Sequence, residues 1–127
     1  PKLDPITTVA GLRRLDRAKT GEKFGLICET VARLRQDLPR ETTLIGFCGA
    51  PWTVATYVVG GEGSSDQAAA RRFAYRDPKG FQQLIDILVD TSVDYLSQQI
   101  DAGADTVMVF DSWAGTLPDR EFASWVT

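Results

Sequence analysis

The chain has 127 residues, 43% of them hydrophobic and 24% charged, with a net charge of −3. That balance belongs to a soluble globular domain with a modest core rather than to a disordered chain. No apolar run approaches the ~20 residues needed to span a bilayer, and no charged-then-apolar leader is present, so a cytoplasmic protein without a membrane partner is expected. Residues 1–40 carry a net of +4 and residues 41–127 a net of −7. The positive charges lie among acids on amphipathic segments, so no nucleic-acid partner is expected. The absence of histidine removes His-assisted nucleophiles and His metal sites from the chain. Cys28 and Cys48 lack metal-ligand spacing and sit in apolar segments, which predicts two buried free thiols and no metal.

In chain order, "PKLDP" is an extended start, since its two prolines oppose regular helix. Val9, Leu12 and Leu15 then predict a short helix over Thr8 to Asp16. Phe24, Ile27, Cys28, Val31, Leu34 and Leu38 step by three and four, which predicts an amphipathic helix over Glu22 to Leu38, stopped by Pro39. Thr43 to Cys48 reads as a fully buried strand. After it, Pro51 starts a single helical turn that puts Thr53 and Tyr57 on one face, with Trp52 packed inside. Gly60 to Gly63 follows a helical turn and lacks the Gly-Lys-Ser/Thr ending of a phosphate loop, so it reads as a flexible connector.

Ser64 with Gln67 fits a capping box for a helix ending before Asp77-Pro78. Asp77 as N-cap and Pro78 at the first helical position open the longest element, which Gly103 ends. Its apolar face holds Phe81, Leu84, Ile85, Leu88, Leu96 and Ile100. Asp86, Asp90, Asp94 and Asp101 share an arc of the opposite face, either solvated or facing the helix with Arg33 and Arg35. Thr106 to Phe110 repeats the buried-strand pattern, and a further helix begins near Pro118. The alternation implies parallel strands joined by crossovers. Two such strands leave edges and apolar faces bare, so the chain reads as one incomplete segment of a larger single domain.

Ligands of parallel α/β folds bind beyond the carboxyl ends of the strands. Two such ends exist here, Cys48 to Gly63 and Asp111 to Pro118. Tyr57 offers a ring and a hydroxyl in the first. In the second, Ser112 lacks a histidine and cannot be an ordinary triad nucleophile, yet it can orient a polar group. Asp111 is a cap, an Arg partner or a general base. Tyr57 and Ser112 together make a binding constellation rather than a catalytic one, and Arg71, Arg72 and Arg76 are expected in solvent.

The segments "GFCGAPWTVATYVVGGEGSS" and "VFDSWAGTLP" resemble the paired signatures of the uroporphyrinogen decarboxylase family, and residues 24–59 and 81–118 are similar to its order of elements. The resemblance implies an α/β fold, here part of a (β/α)8 TIM barrel, in a cytoplasmic homodimer without cofactor or metal. It implies a carboxy-lyase that removes four carboxyl groups from the acetates of uroporphyrinogen III, giving coproporphyrinogen III for haem synthesis. It also implies that Tyr57 and Ser112 line the substrate cleft.

The family's "RQAGRY" segment, its early strand-end aspartate and its C-terminal histidine have no counterpart in this chain. No catalytic residue is therefore assigned, and the isolated chain is expected to be inactive. Removing CO2 from a pyrrole acetate needs a protonated ring whose delocalised cation is stabilised, which calls for a facing carboxylate and positioned arginines. Two alternatives stand beside this expectation. One is a corrinoid- or thiol-linked methyltransferase of the same barrel superfamily, and the other a non-enzymatic module that recruits a partner through exposed strand edges.

Overall fold

The structure, a computed structural model, describes residues 2–127, so Pro1 of the extended start lies outside the described residues. A 3-10 turn spans Val9–Arg14, and Thr8 caps it by accepting from the Gly11 amide at 3.3 Å. Helix α1 spans Arg17–Asp37, strand β1 Ile45–Gly49, α2 Pro51–Gly60, α3 Ala68–Arg76, α4 Pro78–Asp101, β2 Thr106–Phe110 and α5 Asp119–Trp125, with a second 3-10 turn at Ala114–Thr116. The alternation thus produces the expected parallel pair. β1 and β2 run parallel, in a register that pairs Ile45 with Thr106 and Gly49 with Phe110. The ladder continues past both ends, with Asp105 donating to Leu44 at 2.9 Å and Ala50 to Phe110 at 2.7 Å.

Most helix limits follow from local chemistry. Asp77 accepts from the Gly80 amide at 2.9 Å, Pro78 occupies the first turn of α4, and Gly103 follows its end at φ +113°. α5 begins directly after Pro118, as expected. Helix α1 starts five residues before the predicted Glu22. The first turn after β1 is the larger departure. α2 is a ten-residue helix rather than a single turn, closed by Gly61 at φ +77°, whose amide donates to the Tyr57 carbonyl. Burial explains its length: Trp52, Ala55 and Val59 all lie in the core, which outweighs the weak helix propensity of its Val and Thr residues.

The core sits among the 3-10 turn Val9–Arg14, α2, α3 and α4. Phe81 is its hub, with ring centroids 5.7 Å from both Trp52 and Phe73 and 4.9 Å from Trp125, all edge-on. Trp52 is therefore a packing residue, as read from the sequence. On α4, Phe81, Leu84, Ile85 and Leu88 are buried as predicted, but Ile100 is half exposed.

Neither strand is fully buried, which corrects the expectation for both. α4 packs on β1, and the Gly46 and Cys48 face of that strand is buried. Ile45, Phe47, Met108 and Phe110 share the other face and are each 44–58% exposed. The reason is coverage, because none of the described helices buries that second face. Phe47 and Phe110 meet edge-on at 5.7 Å within it.

Gln99 was not singled out from the sequence, yet its buried amide holds both backbone groups of Phe47. The Phe47 amide donates to Oε1 at 3.0 Å and Nε2 donates to the Phe47 carbonyl at 3.1 Å. Leu44 and Ala50 use their backbone groups toward β2, so by alternation those of Phe47 point to the opposite edge of β1. Gln99 thus closes part of an edge that would otherwise be bare. It requires Gly46, where a Cβ would lie 2.9 Å from Oε1. At the amino end of the sheet, Arg35 reaches Asp105 at 2.8 Å and the carbonyls of Leu38, Pro39 and Thr42. Asp105 also accepts from the Leu44 amide at 2.8 Å.

Asp86, Asp90, Asp94 and Asp101 are all exposed on α4, and neither Asp90 nor Asp94 is without a partner. The side chain of Arg33 pairs with Glu29 and that of Arg35 with Asp105.

Candidate functional site

The parallel register carries the segments after Gly49 and Phe110 to the same end of the sheet. A buried stitch joins them there. Thr53, in the first turn of α2, donates its hydroxyl to Asp111 Oδ1 at 2.6 Å and accepts from the Trp113 amide at 3.3 Å. Asp111 Oδ1 also accepts from the Ala114 amide at 3.1 Å, capping the turn Ala114–Thr116. Of the three roles open to Asp111, capping is the one its contacts match. Its position near the first turn of α2 suits a carboxylate, since helix N-termini favour negative charge. The other oxygen, Oδ2, is buried without a hydrogen-bond partner.

Tyr57 lies one turn after Thr53 on α2. It is partly exposed, and its hydroxyl makes no hydrogen bond among the described residues. Its ring rests on the backbone of Gly63, where a Cβ would approach Cε1 to 3.2 Å. Together with Lys2, Leu3, Gly61 and Glu62 these residues line an open cavity of about 590 Å³. Ser112 is exposed, follows Asp111 directly, and likewise has no hydrogen-bond partner among the described residues. The cavity beside Tyr57 does not include Ser112.

Gly60 to Gly63 is not wholly a flexible connector. Gly61 accepts from the Leu3 amide at 2.8 Å, and a Cβ at Gly61 would meet the Leu3 carbonyl at 2.7 Å. Its positive φ and this close approach both require glycine.

The capping box at Ser64 and Gln67 does not form. Ser64 donates to Asp66 at 2.6 Å, and Asp66 accepts from the Ala68 amide at 3.0 Å, so Asp66 starts α3 in its place. Gln67 instead takes a left-handed backbone at φ 49° and buries its amide. It donates to the Ser64 and Ser65 carbonyls and accepts from the Thr116 hydroxyl at 2.9 Å. Arg71 donates to the Thr116 carbonyl at 2.7 Å and Arg76 to the Thr7 carbonyl at 2.6 Å. Arg71 is therefore half-buried and clasps distant backbone, whereas Arg72 and Arg76 are exposed as expected, Arg76 while also holding the Thr7 carbonyl. Gln67 and Arg71 tie the segment before α3 to the one after β2.

Cys48 is buried, but Cys28 is only half-buried, because the apolar stripe of α1 is itself half open, with Ile27 and Leu34 exposed. Both thiols are free. Burial pushes the Cys48 thiol above its ordinary pKa, opposed by a hydrogen bond with Ser92. Among the described residues, no three His, Cys, Asp or Glu side chains are grouped to hold a metal, and no helix is long and apolar enough to cross a membrane.

A family model described as uroporphyrinogen decarboxylase (URO-D) matches residues 1–127. The chain is similar to the uroporphyrinogen decarboxylase of Sinorhizobium fredii, at 58% identity over 123 residues, which is 97% of this chain and 36% of that relative. It is 51% identical over 125 residues to that of Agrobacterium fabrum, covering 98% and 36% of the two chains. The corresponding protein of Rhodospirillum rubrum is 46% identical over 126 residues, covering 99% and 36%. The chain thus spans about a third of the length of these curated relatives.

Proposed function

Because the chain belongs to the uroporphyrinogen decarboxylase family, we propose that it forms two adjacent strand-and-loop units of a decarboxylase acting on uroporphyrinogen. The observation that carries this reading is the stitched pair of loops. Parallel strands deliver α2 and the segment after β2 to one end, and Thr53 and Asp111 lock them together. Tyr57 and Ser112 are proposed to line the substrate cleft at that end, each presenting a hydroxyl without a hydrogen-bond partner among the described residues. Donors of this kind suit a substrate whose periphery is carboxylate.

The proposed whole is a (β/α)8 barrel. The open sheet face of Ile45, Phe47, Met108 and Phe110 supports it, since inward-facing apolar residues of barrel strands are covered by the remaining strands. A cytoplasmic homodimer working without metal or cofactor belongs to the same proposal. The charged machinery is assigned to other parts of that barrel. Neither loop presents an arginine cluster to Tyr57 or Ser112, and eight substrate carboxylates would meet a chain of net charge −3.

One assay with two arms tests this reading, following coproporphyrinogen formation from uroporphyrinogen. The 127-residue chain alone is expected to give no turnover. In a full-length protein carrying this chain, Tyr57→Phe is expected to lower kcat/KM about tenfold, the worth of one substrate hydrogen bond. Turnover by the chain comparable to a complete enzyme would overturn the division of labour. An unchanged kcat/KM would remove Tyr57 from the cleft.

A further inference from the structure

We infer that the helical layer holds a second site, for a small planar organic anion, in the cavity bounded by α2, α3, α4 and α5. The cavity measures about 530 Å³, within the roughly 300–1,000 Å³ typical of small-molecule sites. It shares no lining residue with the cavity beside Tyr57, and Ser112 does not line it. The inference stands independently of the decarboxylase reading.

Charge is the first observation. Arg71, Lys79 and Arg120 line the cavity against one carboxylate, Glu121. That carboxylate already accepts the Tyr75 hydroxyl at 3.0 Å. Lys79 and Arg120 form no ion pair among the described residues, so their charge is available to a ligand.

The second observation is independent of charge. Trp52 and Arg71 both line the cavity, and the Trp52 Nε1 and Arg71 Nε donors are buried without any acceptor. Buried donors are nearly always paired, and leaving one unmade is costly. Two unpaired donors beside surplus cations call for an oxyanion. The rest of the wall gives the ligand its body. The exposed ring of Tyr75 and the half-buried indole of Trp125 present flat apolar surface, which suits a planar group bearing a carboxylate or a phosphate.

The test is a titration of a 15N-labelled full-length protein carrying this chain, following the indole N–H resonances, with phenyl phosphate, benzoate, inorganic phosphate and phenol as separate probes. A saturable shift of the Trp52 indole is expected with at least one aromatic anion, and the stronger of the two identifies the oxyanion. Lys79→Gln combined with Arg120→Gln, both exposed positions, is expected to weaken that binding about tenfold while far-UV circular dichroism stays unchanged. Arg71→Lys keeps the charge but removes the Nε donor, and is expected to weaken binding as well. No saturable shift at millimolar probe, equal binding of neutral phenol, or an unaffected double variant would each overturn the site. Inorganic phosphate binding as tightly as phenyl phosphate would overturn the planar body.

Discussion

A single carboxylate organises the start of α3. Asp66 accepts from the Ser64 hydroxyl and from the Ala68 amide, and the first of these, followed by the second, holds its pKa below the ordinary carboxylate range. A group depressed in the folded state adds stability that is present above its unfolded pKa, about 4, and is lost as pH falls through the lower folded value. Asp66→Ala should therefore lower the thermal midpoint at neutral pH, and the gap to the parent chain should close on acidification below about pH 4. Melting curves across pH check this, and a gap independent of pH would show that Asp66 acts by shape alone. Gln67, next to it, accepts a left-handed backbone because its buried amide satisfies three partners at once.

Between elements, the Thr53 hydroxyl is the shortest link from α2 to the segment after β2. It gives its proton to Asp111 and its lone pair to the Trp113 amide. Thr53→Val keeps the shape but leaves a part-buried carboxylate oxygen and an amide short of a partner. The expected loss is about 1–3 kcal/mol, read from chemical denaturation, whereas Thr53→Ser should recover most of it. Because α2 also carries Tyr57, the same substitution should loosen the placement of both loops. A Thr53→Val chain as stable as the parent would mean that the backbone bond from Ala50 to Phe110 holds the loops unaided.

Across the whole molecule, stability is concentrated on the helical side. Phe81 is fully buried and touches rings from α2, α3 and α5, so Phe81→Ala is expected to cost about 3–5 kcal/mol. A thermal midpoint shift of only a degree or two would show that the cluster repacks. The sheet side is the reverse, with four large apolar residues open on one face of two strands. A patch of that kind marks a surface meant to be covered, and it gives the barrel reading its whole-molecule consequence.

The sequence by itself determined what depends on neighbours three or four residues apart. Asp77-Pro78 and Gly103 bounded α4, Pro118 preceded α5, and the apolar steps of α4 named Phe81, Leu84, Ile85 and Leu88 as core. The two strands and their order followed from short apolar runs between helices, and the two loop motifs carried the family. Tertiary structure alone decided the rest. α2 extends for ten residues because its face is buried. Gln99 and Arg71 find partners 52 and 45 residues away, and Thr53 meets Asp111 across 58. One sheet face is left open, although the strands read as buried throughout. Caps and periodicity are local energies written into adjacent residues, whereas the pairing of a buried polar group and the covering of a face depend on which distant segments the fold brings together.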